Sequence, residues 1–206
     1  LIEENVVFSS LGLVITDEQH RFGVKQRQAL ESKGKSPHVL IMTATPIPRT
    51  MALSVYGDLD VSFIKGMPPG RHPVKTYAVG SYMLQRIFRF MKKEMESGHQ
   101  AYVVCPLVEQ SEKQDLAAAV SVYENLRDHV FPQFGVELVH GRMKNAEKEQ
   151  VMEDFREGKF KLLVATSVIE VGVNVPDATV MFVYGADRFG LSQLHQLRGR
   201  VGRGKE

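Results

Sequence analysis

Short apolar stretches that alternate with helical patterns are the feature that most constrains the fold. Residues 11–15, 39–42 and 102–105 are apolar runs of this kind. Such runs are typical of strands in a parallel sheet, whose two faces are both covered by crossover helices. The alternation therefore predicts an α/β fold with doubly wound parallel sheets.

The predicted elements fall on either side of a break at residues 66–73, which contains three prolines and two glycines and is typical of an interdomain linker. Before the break we expect helices at 22–32 and 49–55, and strands at 11–15, 39–42 and 59–64. After it we expect strands at 74–79, 100–105, 136–139, 162–165 and 179–183, and helices at 83–96, 116–130, 147–155 and 192–198.

Composition narrows the class of protein. With 206 residues, 43% hydrophobic and 24% charged, the chain can form one large or two small globular domains. No apolar run approaches the roughly 20 residues that span a bilayer, and the first residues lack the basic start of a signal peptide, so we expect a cytoplasmic location without a membrane partner. The single cysteine, Cys105, excludes an internal disulfide and is expected to pack as a small hydrophobe.

Two clusters of charged residues point to nucleotide chemistry, although the net charge of +2 is too small to indicate a nucleic-acid partner. Residues 198–204 alternate arginine with glycine, which suits close contact with phosphate oxygens. Asp17 and Glu18 follow an apolar run, and paired carboxylates can hold Mg²⁺ and position a water. Taken alone, the same acids could simply begin a helix.

Five segments resemble, in order, the motifs of a superfamily two DNA helicase: DEQH at 17–20, TATPIPRT at 43–50, HGRM at 140–143, VATSVIEVGVNVP at 164–176 and FGLSQLHQLRGRVGRG at 189–204. The resemblance is to the bacterial ATP-dependent helicases of branched DNA and spans nearly the whole chain. It implies tandem RecA-like parallel-sheet domains, the first incomplete and the second essentially complete.

The resemblance also implies domain boundaries. Residues 1–66 correspond to the C-terminal half of the first RecA-like domain, which is the helicase ATP-binding domain. Residues 67–73 correspond to the linker, and residues 74–206 to the second RecA-like, or helicase C-terminal, domain. The family's phosphate loop and its DNA-recognising wedge domain are expected before Leu1.

By resemblance, the catalytic groups are Glu18, which orients or deprotonates the hydrolytic water, and Arg200 and Arg203, which face the γ-phosphate. Asp17 is expected to contact Mg²⁺, partly through water. The remaining nucleotide-binding residues implied by the family are His20, Gln196 and Asn174. Asn174 stands where relatives usually carry an aspartate near the ribose.

The family further implies residues that bind DNA or couple the nucleotide site to it. Residues 43–50 match the coupling motif, and the sequence around His140 matches a contact to the DNA backbone. The residues carried over are Thr43, Thr45, Arg49, His140, Arg142, Thr166 and Glu170.

These motifs predict part of the motor of a DNA helicase that uses ATP and Mg²⁺ to translocate on and remodel branched DNA in repair and recombination. One alternative is the transcription-repair coupling factor translocase, which shares the proline-rich turn, although DEQH and HGRM favour the first prediction. The other alternative is a non-catalytic DNA-binding module for the isolated chain. The family arrangement would also leave one edge of residues 39–42 exposed, which favours self-association or loose packing of residues 1–66.

We predict that this 206-residue chain hydrolyses no ATP above background. Gly34-Lys35-Ser36 imitates the end of a phosphate loop, but it follows a helical pattern rather than a strand. Without a cradle of backbone amides, carboxylates and arginines cannot hold the β and γ phosphates. A phosphate-release assay on the purified chain tests this, and turnover that Glu18→Gln abolishes would contradict it.

Overall fold

The structure is a computed structural model of the chain. It describes residues 3, 5–18, 24–43, 60–64, 66, 73–106, 112–166 and 175–204. The chain divides into two compact units, Leu1–Val61 and Ser62–Glu206. The assignment of these regions to half of one family domain and the whole of another stays a prediction.

The described residues of the first unit form a strand–helix–strand motif. Strand β1 (Leu13–Thr16) leads through helix α1 (Val24–Glu31) to strand β2 (His38–Ile41). The two strands pair in parallel, which confirms the predicted βαβ arrangement. Their paired side chains alternate between a buried face, which includes Val14, and an exposed face, which includes Ile15.

The second unit is built on a parallel sheet of four strands in the order β4-β5-β3-β6. The strands are β3 (Gln100–Val104), β4 (Val136–Val139), β5 (Leu162–Ala165) and β6 (Ala178–Val183). Strand β3 pairs in parallel with both β5 and β6, and β4 pairs in parallel with β5. All four carboxyl ends therefore lie at one edge of the sheet, which is where open α/β sheets bind ligands.

Among the described residues, four α-helices accompany this sheet: α2 (Leu84–Glu96), α3 (Glu112–Asn125), α4 (Asn145–Arg156) and α5 (Leu191–Arg198). Helix α3 continues into a π-helical turn at Leu126–Val130. At the start of α4 the Glu147 carboxylate accepts a 2.9 Å hydrogen bond from the Lys144 backbone N–H. At the start of α5 the Gln193 side chain accepts a 3.0 Å bond from the Gly190 N–H. Both bonds satisfy amides that a helix leaves without internal partners.

The sheet separates two hydrophobic cores. On one face Tyr102 and Leu163 pack with Phe155 of α4 and with Leu197 of α5. On the other face the packing residues come from β3, β4 and β5 together with α2 and α3; they include Val103, Leu162, Met91 and Leu126. Helices thus cover both faces of a parallel sheet, as the uninterrupted apolar runs predicted.

Two predicted strands are wrong. Described residues 60–64 and 73–80 have no strand conformation. These segments contain side chains of types that favour strands, but Val61 is exposed by 42%, Ile64 by 101%, Tyr77 by 77% and Val79 by 49%. Strand propensity reflects packing on a half-buried sheet, whereas these four side chains are exposed, and Val74 packs against the core without strand conformation. The helix predicted at 49–55 lies outside the described residues.

Cys105 is 4% exposed at the end of β3, which confirms that it packs as a small hydrophobe. Burial raises the pKa of its thiol to about 11, so the thiol stays protonated at neutral pH. Within the described part of the chain, no helix has both the length and the apolar character that crossing a bilayer requires.

Candidate functional site

In the first unit, the candidate residues that the structure describes lie where two parallel strands end. Asp17 and Glu18 directly follow β1, and Thr43 lies two residues after β2. The Met42 backbone N–H donates a 2.8 Å hydrogen bond to the Thr16 carbonyl, so the two strand ends are adjacent. The two carboxylates and the threonine therefore share one edge of the strand pair.

The backbone bends sharply at the acidic pair. Glu18 has a φ of 50°, in the left-handed region that residues other than glycine rarely adopt. Its backbone N–H donates a 2.8 Å hydrogen bond to Asp17 Oδ1, which holds the turn and orients the carboxylate. Non-glycine residues in this conformation concentrate at functional sites, where the surrounding structure maintains the strain.

Five of the residues that sequence similarity singled out lie outside the described residues. They are His20, Thr45, Arg49, Glu170 and Asn174. Gln19 and Gly172, which belong to the same motifs, lie outside as well.

In the second unit, His140 and Thr166 follow the neighbouring strands β4 and β5. The Thr166 N–H donates a 3.2 Å hydrogen bond to the Val139 carbonyl, which joins the two strand ends. Thr166 is 1% exposed. Within the described part of the chain, neither its Oγ1 atom nor the buried Nδ1 atom of His140 has a hydrogen-bond partner. A buried polar atom without a partner costs about 1–3 kcal/mol, so two such atoms at the ends of neighbouring strands mark this edge as a candidate ligand site.

Positive charge surrounds His140. Burial of the imidazole lowers the pKa of His140, the charges of Lys148 and Arg142 lower it further, and Glu147 acts in the opposite direction. The Lys148 ammonium donates a 2.9 Å hydrogen bond to the Gly141 carbonyl, which holds the lysine against the turn that carries His140 and Arg142. At neutral pH the ring is therefore a neutral group in a basic surrounding, where an anion would be stabilised.

The arginine-rich segment after α5, residues 199–204, is turned back against the sheet. Its Val201 is 2% exposed and joins the same core as Leu197. The Gly202 N–H donates a 3.3 Å bond to the Ala178 carbonyl at the start of β6. The Arg203 Nε–H donates a 2.7 Å bond to the Gly199 carbonyl, which closes the turn. The segment is therefore an ordered part of the domain rather than a loose basic tail.

Gln196, Arg200 and Arg203 are all half-buried on α5 and this turn. Near the two arginines lies Tyr102 of the central strand, which is 1% exposed. Burial raises the pKa of Tyr102 to about 12, while the charges of Arg200 and Arg203 act in the lowering direction. Both guanidinium groups thus lie close enough to the phenol to influence it. The sequence motifs do not single out Tyr102, and its only signal is an aromatic polar group within an apolar strand.

The family model described as Helicase conserved C-terminal domain matches residues 82–205. The chain therefore belongs to this helicase family. Over its full length it is similar to curated proteins named ATP-dependent DNA helicase RecG. It is 56% identical over 205 residues to the protein of Bacillus subtilis (strain 168), covering 100% of this chain and 30% of that relative. It is 55% identical over 204 residues to the protein of Thermotoga maritima, covering 99% of this chain and 26% of that relative.

Solved structures give the same result for the fold. The structure of RecG bound to a three-way DNA junction is 50% identical with a TM-score of 0.73, and the match covers 99% of this chain and 26% of that one. Dbp5 of S. cerevisiae bound to RNA and ADP BeF3 is 13% identical with a TM-score of 0.60, over 95% of this chain and 51% of that one. The predicted RecA-like parallel-sheet fold is thus confirmed. The chain spans about 30% or less of the length of the two curated relatives.

We predict that the His140 ring titrates below its ordinary pKa of 6.5 in the folded chain. The unfolded chain then binds more protons as the pH falls below about 6.5, so the free energy of unfolding decreases in that range. An NMR titration of the ring protons, with His140→Gln to assign the signal, measures the midpoint. Urea unfolding at about pH 7 and about pH 5.5 measures how far the free energy of unfolding falls with pH. This decrease should be smaller for His140→Gln than for the wild type. A midpoint at or above 6.5 would contradict the prediction.

Proposed function

We propose that this chain forms part of the motor of an ATP-dependent DNA helicase, in which ATP hydrolysis drives translocation on branched DNA and its remodelling in repair and recombination. The single observation that carries the proposal is the ordered arginine-glycine segment 199–204 in a chain of the helicase family. Because the chain spans only a fraction of its relatives, we infer that it acts within a longer protein. A cytoplasmic location belongs to the same proposal.

In this proposal the arginines act on the nucleotide. Arg200 and Arg203 stabilise the charge that develops on the γ-phosphate, an effect worth on the order of 10³ to 10⁵ in rate. Their backbone is already fixed by core packing and hydrogen bonds, so little reorganisation is needed when ATP arrives. Gln196, near the end of α5 just before this segment, contacts the nucleotide beside them. His20 and Asn174 complete the proposed nucleotide contacts.

The acidic turn supplies the metal and water chemistry. The Asp17 carboxylate is exposed, and Mg²⁺ is commonly held by one or two carboxylates together with waters and phosphate oxygens. Within the described residues, no group of three or more His, Cys, Asp or Glu side chains could hold a metal ion by itself. A Mg²⁺ ion bound mainly by ATP and water fits this donor set. Glu18 then orients the attacking water.

DNA contact is assigned to the strand ends of the second unit. A phosphate oxygen of the DNA backbone would give the buried His140 and Thr166 atoms the partner that the described residues do not provide. The positive charges of Arg142 and Lys148 favour such a phosphate. Thr43, Thr45, Arg49 and Glu170 are proposed to couple these contacts to the nucleotide. The solved relative in complex with a three-way junction supports branched DNA as the substrate.

The similarity to curated DNA helicases favours this function over a transcription-repair coupling translocase. A non-catalytic DNA-binding module remains the second candidate for the chain by itself, because the buried His140 and Thr166 atoms could take a DNA phosphate without any nucleotide. The two candidate functions are distinguished by ATPase assays with and without a synthetic three-way junction, performed on this chain and on the longer protein. DNA-stimulated turnover by the longer protein alone supports the proposal, and its absence from both refutes it.

In the longer protein, Arg200→Ala and Arg203→Ala should each lower DNA-stimulated turnover at least 100-fold while changing the KM for ATP less than about 3-fold. The reason is that a group acting on transition-state charge affects kcat, whereas uniform binding affects KM. Steady-state kinetics measure both constants. Arg188→Ala, at an exposed position on the turn before α5, serves as the control for loss of positive charge. Equal rates for the two variants and the wild type would contradict the catalytic roles of the arginines.

We also propose that the isolated chain self-associates through its first unit. Leu13, Ile15, Leu40 and Met42 lie on one face of the strand pair and are 53%, 55%, 47% and 39% exposed. Contiguous apolar surface of this kind favours association. Light scattering should give a mass above 23.2 kDa that falls when Ile15 and Leu40 are both replaced by threonine. A monomer at all concentrations would overturn this proposal.

A further inference from the structure

The backbone at Gly204 packs unusually closely against another segment. A Cβ atom at this position would lie 2.7 Å from the Pro176 carbonyl oxygen and 3.5 Å from its carbon. Contacts below 3.0 Å essentially never occur for real Cβ atoms, and the obstacle here is backbone rather than a movable side chain. Gly204 differs from Gly202, whose φ of 68° is itself the reason for a glycine.

A second contact reinforces the first. The Gly202 N–H bonds to the Ala178 carbonyl at 3.3 Å, two residues beyond Pro176. Directly before these attachment points, the buried side chain of Val201 packs in the core that also contains Val175 and Ala178. Three contacts therefore hold the segment 199–204 against residues 175–178. They are the core packing of Val201, the hydrogen bond of Gly202 and the close backbone approach at Gly204, which only glycine permits.

This attachment connects two parts of the proposed motor. Pro176 ends the motif at 164–176 that begins just before Thr166, and residues 199–204 carry Arg200 and Arg203. If one segment moves while Gly204 stays in contact with the Pro176 carbonyl, the other segment must move as well, because closely packed backbones resist compression.

We propose that Gly204 is a positioning residue: the missing side chain allows the arginine segment to pack against the Pro176 carbonyl, so that the position of the arginines depends on the backbone at Pro176, where the sequence motif that carries Thr166 ends. This inference rests on the proposed function. It goes beyond that function by naming a contact through which DNA binding controls catalysis. Adding one methyl group at residue 204 must move the segment, and a shift of about 1 Å at a catalytic group can cost on the order of 100-fold in rate.

The first measurement is hydrogen exchange on this chain, which needs no activity. The Gly202 amide, bonded to Ala178, should exchange slowly in the wild type. Gly204→Ala should accelerate that amide about tenfold or more, while amides of the central strand β3 keep their rates. Unchanged protection of Gly202 would overturn the inference, because the added methyl group would then be accommodated without moving the segment.

The second measurement is steady-state kinetics on the longer protein. Gly204→Ala should lower the DNA-stimulated kcat about 10- to 100-fold, with the KM for ATP and the affinity for a three-way junction without nucleotide both within about 3-fold of wild type. Gly204→Val, which adds a larger side chain at the same contact, should lower kcat further.

Two glycine substitutions serve as matched controls. At Gly135 an added Cβ would lie 2.9 Å from the Phe160 Cβ, so Gly135→Ala introduces a clash of similar severity far along the chain from the arginines. It should lower Tm without lowering kcat. At Gly12 an added Cβ would have no atom within 4 Å, so Gly12→Ala should change neither.

The outcomes are distinct. Faster exchange at Gly202 together with a selective loss of kcat supports the inference. Wild-type kcat for Gly204→Ala, or a loss that Gly135→Ala reproduces in proportion to Tm, overturns it. If the wild-type longer protein shows no DNA-stimulated ATPase, the proposed function fails and this inference fails with it. The exchange result then reports only that the segment is fastened to the sheet.

Discussion

The parallel pairing of β3 with a neighbour on each side is the constraint on which the second unit depends. Residues of β3 bond to β5 on one edge and to β6 on the other, and its side chains from Gln100 to Val104 are all buried. Alternate side chains must therefore enter different cores, and helices must cover both. Parallel pairing also brings all carboxyl ends to one edge, which is why His140 and Thr166, far apart in sequence, follow adjacent strands.

Two buried polar side chains of the second unit differ in whether they have hydrogen-bond partners among the described residues. Gln100 and Thr166 are both 1% exposed. The Gln100 amide donates to the Phe155 and Phe160 carbonyls at 2.6 and 3.0 Å, so it fastens the end of α4 to the central strand. Thr166 Oγ1 has no such partner among the described residues. Proteins accept unsatisfied polar groups mainly at functional sites, where a ligand completes the bonding.

The sequence by itself determined the α/β class and most of the elements. The apolar runs at β3 and β5 are buried in a sheet covered on both faces, as their pattern predicted, whereas the run at β1 keeps one exposed face. The order of the motifs along the chain also singled out the arginine segment and the acidic turn as candidate sites. Local pattern misled at 59–64 and 74–79, because strand formation requires a partner that composition cannot supply.

Only the tertiary structure decided what surrounds each candidate residue. The left-handed conformation of Glu18, the lowered pKa of His140 and the position of Tyr102 near two arginines all depend on how the chain packs around them. The contact of Gly204 with Pro176 joins residues 28 positions apart and has no signature in either segment alone. Periodicity and motif spacing report local geometry and order along the chain, whereas burial, desolvation and close backbone approach arise only when the segments pack together.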